Sequence, residues 1–142
     1  MLVRLIYASR AAAAVNPEGL QAIFRQSKFN NPRLGLTGLL CHSDGVFMQT
    51  LEGGREAVNR LYHCIATDPR HNQMLLLSYE EIAERRFACW AMGQVDLSRL
   101  NPALLLKYSA TTKLDPGATS AQMAQAMFEE LAATASIMTE RG

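Results

Sequence analysis

Two helical stretches, each bracketed by strand-like runs, constrain this chain more than any other feature. Val3 to Ser9 alternates and carries branched residues, which predicts a strand. Asn16 can then cap a helix, with Pro17 at the first helical position. Leu20, Ile23 and Phe24 recur at helical spacing, and that helix is expected to fade near Lys28. Leu34 to His42 reads as a second strand, Ser43-Asp44-Gly45 as a turn, and Val46 to Leu51 as the returning strand of a hairpin. Val58, Leu61, Tyr62 and Ile65 predict a second amphipathic helix, ended by Asp68-Pro69. Met74 to Ile82 and Phe87 to Val95 are further strands, with a turn around Glu84 to Arg86.

The order β-α-β-β-α-β-β predicts an α+β, ferredoxin-like sheet with both helices on one face. In that topology the first and third strands are central neighbours, so Tyr7 and Gln49 should meet although distant in sequence. Beyond the last strand, Asn101-Pro102 opens a short helix, and Asp115-Pro116-Gly117 breaks the chain. Thr119 or Ser120 can cap a longer helix reaching Met138. Its apolar stripe is Met123, Met127, Leu131, Ala135 and Met138, with Phe128 alongside, and it must pack on the open face of the sheet or on another subunit. The expected division is 1–97 for the sheet domain and 98–142 for a C-terminal helical extension.

A length of 142 residues suits one compact domain. A net charge of +1 gives no electrostatic reason to expect nucleic acid or an anionic membrane surface as partner. No apolar run approaches the roughly 20 residues a membrane span needs, and the start lacks the order of a signal peptide. Cys41, Cys64 and Cys89 form no CxxC pair and predict reduced, mostly buried thiols in a cytoplasmic protein. His63, Cys64 and His71 lack metal-ligand spacing, so no metal is expected. The glycines form neither GxGxxG nor GxxxxGK[ST].

The residues able to carry chemistry are scattered: a phenol, Tyr7, and the carboxamides Asn30, Asn31 and Gln49. Such a set suits gripping a flat heterocycle by its hydrogen-bonding edge and does not suit hydrolysis. A tyrosine in a strand is ordinarily a core or boundary residue, and Asn30-Asn31-Pro32 is ordinarily a helix stop. Gln49 shifts the balance, because a glutamine in a central strand is expensive to bury unless its amide is paired. Trp90 and Met92, two apart in one expected strand, should share a face.

In order along the chain stand Y-A-S-R, N-N-P, G-L-T-G-L-L, F-M-Q-T-L-E-G, D-x-R-H and R-F-x-x-W-x-M-G. This combination resembles the BLUF family, which senses blue light with a bound flavin, from about Met1 to Gly93. The resemblance implies noncovalent FAD, with FMN as the alternative. It implies that Tyr7, Asn31 and Gln49 meet the flavin edge, that Ile23 and Ile65 sandwich the ring, and that Asp68, Arg70 and His71, with Ser27 and Lys28, border the ribityl side. It further implies a photochemical switch of Tyr7, Gln49, Trp90 and Met92. Light drives electron and proton transfer from Tyr7, and the rearranged Gln49 network gives a red-shifted signalling state. The expected protein is a sensor and not an enzyme, passing its signal to an unidentified effector protein. A homodimer is a further expectation, because exposed helix stripes and sheet faces tend to be covered. Two other classes stand beside this reading: a flavin-dependent oxidoreductase, for which no nicotinamide-binding loop is found, and a flavin-free ferredoxin-like binding domain.

Overall fold

The computed structural model describes residues 1–12, 17–90 and 92–134, together with most of their side chains. The expected cap at Asn16 and the stripe residues Ala135 and Met138 lie outside the described residues, as do the side chains of Leu20, Phe24, Ser27 and Lys28. The elements are β1 (Leu2–Ala11), α1 (Pro17–Arg33), β2 (Thr37–Ser43), β3 (Val46–Gly54), α2 (Arg55–Ala66), β4 (His71–Ile82), β5 (Gly93–Asp96), α3 (Ala103–Tyr108) and α4 (Ala121–Ala133). The sheet order is β4-β1-β3-β2-β5, with β5 parallel to β2 and the other pairings antiparallel. This is the ferredoxin-like arrangement expected from the element order.

Strand alternation builds two cores. Val3, Leu5 and Tyr7 of β1 and Phe47 and Leu51 of β3 face α1 and α2, where they meet Ile23 and Val58. Ile6 and Ala8 of β1, Leu39 and Cys41 of β2 and Met48 of β3 face the other way. There they meet Met127, Phe128 and Leu131 of α4 and Leu105 of α3. The α4 stripe therefore covers the open face of the sheet. Ser120 caps α4 by accepting the Met123 N–H at 3.0 Å. Among the described residues, no helix is long and apolar enough to cross a membrane.

Local chemistry fixes the connections. Asp44 (φ 49°) and Gly45 (φ 76°) give the hairpin turn its two left-handed positions. Helix α1 does not fade near Lys28 but runs to Arg33, with Pro32 inside its last turn. Its stop is Gly35, at φ 72°. The Leu36 N–H bonds the Asn31 carbonyl at 2.8 Å and the Gly35 N–H bonds the Pro32 carbonyl at 3.2 Å, a Schellman pair. Leu36 is buried beyond the cap.

The last strand is shorter than expected. The stretch Phe87 to Trp90 is a turn, held by the Trp90 N–H on the Phe87 carbonyl at 3.1 Å, and pairing begins only at Gly93. The apolar residues there imitate a strand because both faces of the sheet edge bury them. Trp90 and Met92 accordingly do not share a face: Trp90 packs in the α4 core and Met92 in the α2 core. The cysteines also depart from expectation, since Cys41 is buried but Cys64 and Cys89 are exposed.

Candidate functional site

A cavity of about 460 Å³ opens between α1, α2 and the sheet, a size suited to a cofactor or drug-sized ligand. Tyr7 and Gln49 stand at its floor as direct cross-strand partners, where β1 pairs with β3. The Tyr7 hydroxyl donates to Gln49 Oε1 at 2.5 Å, and Gln49 Nε2 donates to Met92 Sδ at 3.3 Å. Both side chains are about 1% exposed. The thioether can only accept, so it draws the amide nitrogen and leaves the amide oxygen for the phenol. Burial, reinforced by Tyr62, holds the Tyr7 phenol well above its ordinary pKa, so it stays protonated. The two rings meet edge to face at 6.1 Å.

The Schellman stop seats Asn31 at the rim of the same cavity, 1% exposed. Its Nδ2 has no hydrogen-bond partner. A buried amide donor left unpaired costs about 1–3 kcal/mol, so this group is aimed at something else. Ile23 on α1 and Ile65 on α2 supply apolar walls. At the far end Arg70 grips Asp68, with Nη2 on Oδ2 at 2.6 Å and Nε at 3.0 Å, and also reaches Gln26 of α1 at 2.8 Å. That bridge ties the end of α2 to α1. Hydrogen bonding from Arg70 holds the Asp68 carboxyl below the ordinary carboxylate range. His71 pairs Nδ1 with Ser9 Oγ at 2.9 Å, and burial lowers its pKa.

The cavity thus gathers Tyr7, Ile23, Asn31, Gln49, Ile65, Asp68, Arg70 and His71. Met92 reaches it through Gln49, whereas Trp90 lies across the sheet from it. Sequence reasoning missed Gln26, Leu40, Ala57, Arg60 and Leu61 in the lining. Helical spacing could have found several of them: Gln26 is four before Asn30, and Ala57, Leu61 and Ile65 are spaced by four on α2. Among the described residues, no group of three His, Cys, Asp or Glu side chains could hold a metal.

A flavin fits these residues. Its planar ring requires a slot between two helices with aliphatic walls, and its pyrimidine edge alternates carbonyl acceptors with an N–H. The unpaired Asn31 Nδ2 and the Gln49 amide come to the same cavity from different elements.

Comparison with known proteins agrees. The family model described as "BLUF: Sensors of blue-light using FAD" matches residues 2–93. Photoactivated adenylate cyclase subunit beta of Euglena longa is 37% identical over 92 residues, which cover 64% of this chain and 11% of that protein. The chain therefore spans about a tenth of the length of the curated cyclase relative it matches. Among solved structures, BlrB, a BLUF protein in its dark state, superposes with a TM-score of 0.79 at 35% identity, covering 94% of this chain and 96% of that one. The photo-activated state of BlsA superposes with a TM-score of 0.83 at 28% identity, covering 100% and 99%. The chain belongs to the BLUF family, the flavin-using sensors of blue light.

Proposed function

We propose that this protein is a blue-light switch in which the Gln49 amide is the moving part and Met92 reads its orientation. The observation that carries the reading is the buried chain Tyr7–Gln49–Met92, ending on a sulfur that can only accept. Asn31, Ile23, Ile65, Asp68, Arg70 and His71 would hold the flavin, with Ser27 and Lys28 assigned to the ribityl side. Bound flavin supplies blue absorption and, when excited, a ring able to accept an electron.

The chain's own residues do the rest. Tyr7 is the buried phenol nearest the switch, and its O–H already donates to Gln49 Oε1. A phenol that loses an electron becomes strongly acidic, and Gln49 Oε1 is then the acceptor in line. The electron and the proton then return to Tyr7, and the neutral amide is left reversed, with Oε1 turned toward Met92. Sulfur has no proton to give, so that orientation breaks the Met92 contact. A net change of about 1 kcal/mol is enough to bias a packed element between two arrangements. The new amide orientation would also alter the hydrogen bonding offered to a bound flavin, which would give a small red shift.

Residues 1–97 would form the sensing unit. The extension 98–142 would present the response to an effector protein or to a second copy of the chain, so that the protein acts as a sensor and not as a catalyst. The test is a pair of variants. Tyr7→Phe and Gln49→Leu should both fold and hold flavin but lose the light-induced red shift. A full shift retained in Tyr7→Phe removes Tyr7 from the mechanism.

A further inference from the structure

Glu52, three residues after Gln49 on β3, is a buried carboxylate that the switch leaves unused. It has 0% exposure and lies on the α4 face of the sheet, directly opposite Arg4 of β1. Arg4 Nε and Nη2 reach Glu52 Oε2 at 2.9 and 2.8 Å, and Arg4 Nη1 reaches Glu80 at 3.0 Å. Glu52 also accepts two backbone N–H groups, from Phe87 on Oε1 at 2.8 Å and from Arg86 on Oε2 at 3.0 Å. An apolar pair would commonly serve stability as well as a buried ion pair. What the carboxylate adds here is a fixed place for residues 86 and 87.

Those residues begin the segment that ends on the switch. Arg85 reaches Thr37 Oγ1 at 2.9 Å and the Gly35 carbonyl at 2.8 Å. Phe87 stacks edge to face on Phe128 of α4 at 6.4 Å. The Trp90 carbonyl accepts the Gly38 N–H at 3.1 Å, and Met92 meets Gln49. Within six residues the chain passes from the α4 core to the cavity face. Its start is held by charged groups, whereas Met92 at its end packs in the α2 core and accepts the Gln49 amide on its thioether.

We propose that Glu52, with Arg4, is a positioning residue: it pins Arg86 and Phe87 as a pivot, so that release of Met92 is expressed at Trp90 in the α4 core. This rests on the switch reading above. Because Trp90 is the only tryptophan, its emission reads that end of the segment. Glu52→Gln leaves Tyr7 and Gln49 intact, so the flavin red shift should persist while the light-minus-dark change in Trp90 emission is lost. The same emission change in Glu52→Gln as in the native protein overturns the pivot and leaves the switch standing. Absence of any light-induced flavin shift in the native protein overturns both. A second measurement needs no variant: in native protein the Arg86 and Phe87 amides should show equal exchange protection in dark and light, while those of Trp90 and Met92 should differ. Loss of protection at Arg86 and Phe87 in the light also overturns the pivot.

Discussion

The two faces of this sheet are built to different ends. Toward α4 the strands bury Ile6, Leu39, Met48, Phe87, Trp90 and Phe128 in a closed apolar core. Toward α1 and α2 they stop short of filling the space, leaving a cavity of about 460 Å³ with Tyr7, Gln49 and Asn31 in its wall. Each face carries an unpartnered buried polar atom, Asn31 Nδ2 on one and Thr50 Oγ1 on the other. Asn31 lines the open cavity, whereas Thr50 is 0% exposed on the α4 face. An unsatisfied donor beside a cavity marks a place for a ligand, whereas an enclosed hydroxyl marks a small cost of packing. One face is a closed core and the other keeps a cavity, which the proposed flavin site would fill.

Substitutions can break that contrast. The largest effect is expected at the switch, where Gln49→Leu should abolish the light-induced shift altogether while leaving flavin bound; a difference spectrum under blue light checks it. Next is Phe128→Ala, which should cost about 3–5 kcal/mol, seen as a lower urea midpoint with or without flavin. Ile23→Ala faces space that is already open and should cost less than about 2 kcal/mol in flavin-free protein. Its effect should appear instead in flavin affinity, so equal costs for the two variants in flavin-free protein would erase the distinction. Asn31→Ala should leave flavin-free stability unchanged or slightly raised, since its Nδ2 is unpaired there. It should weaken flavin binding by roughly tenfold, the worth of one good hydrogen bond.

The smallest effect is a pH dependence. Burial lowers the pKa of His71 and of His42 from 6.5, so the folded state favours their neutral forms. Between the lowered folded values and 6.5 the unfolded chain binds more protons. Stability is therefore complete above 6.5 and is lost as pH falls through the folded values. Urea midpoints should drop between about pH 7.5 and about pH 5. His71→Asn should flatten part of that slope, and His42 should account for another part.

Much of this was legible in the sequence. The element order puts β1 beside β3 and so brings Tyr7 to Gln49, while the Asp44-Gly45 turn, a local signal, marks the β2–β3 hairpin. Asn30-Asn31-Pro32 has the composition of a helix stop yet lies inside α1. A proline in the last turn removes only one helical N–H, and the left-handed position that stops the helix falls later, at Gly35. The segment from Phe87 to Met92 imitates a strand for a tertiary reason: its apolar residues are buried by two different cores, and the Arg86 and Phe87 amides are satisfied by Glu52, a partner 35 residues away from Phe87. No local pattern reports such a partner. The orphaned Asn31 amide and the Gln26–Arg70 bridge were hidden for the same reason.

The visible absorption spectrum of the purified protein, recorded before and after blue light, tests the central claim most directly. The account predicts a flavin spectrum that moves slightly to the red on illumination and returns in darkness. A flavin that bleaches without shifting, or a protein that holds no flavin, would contradict it.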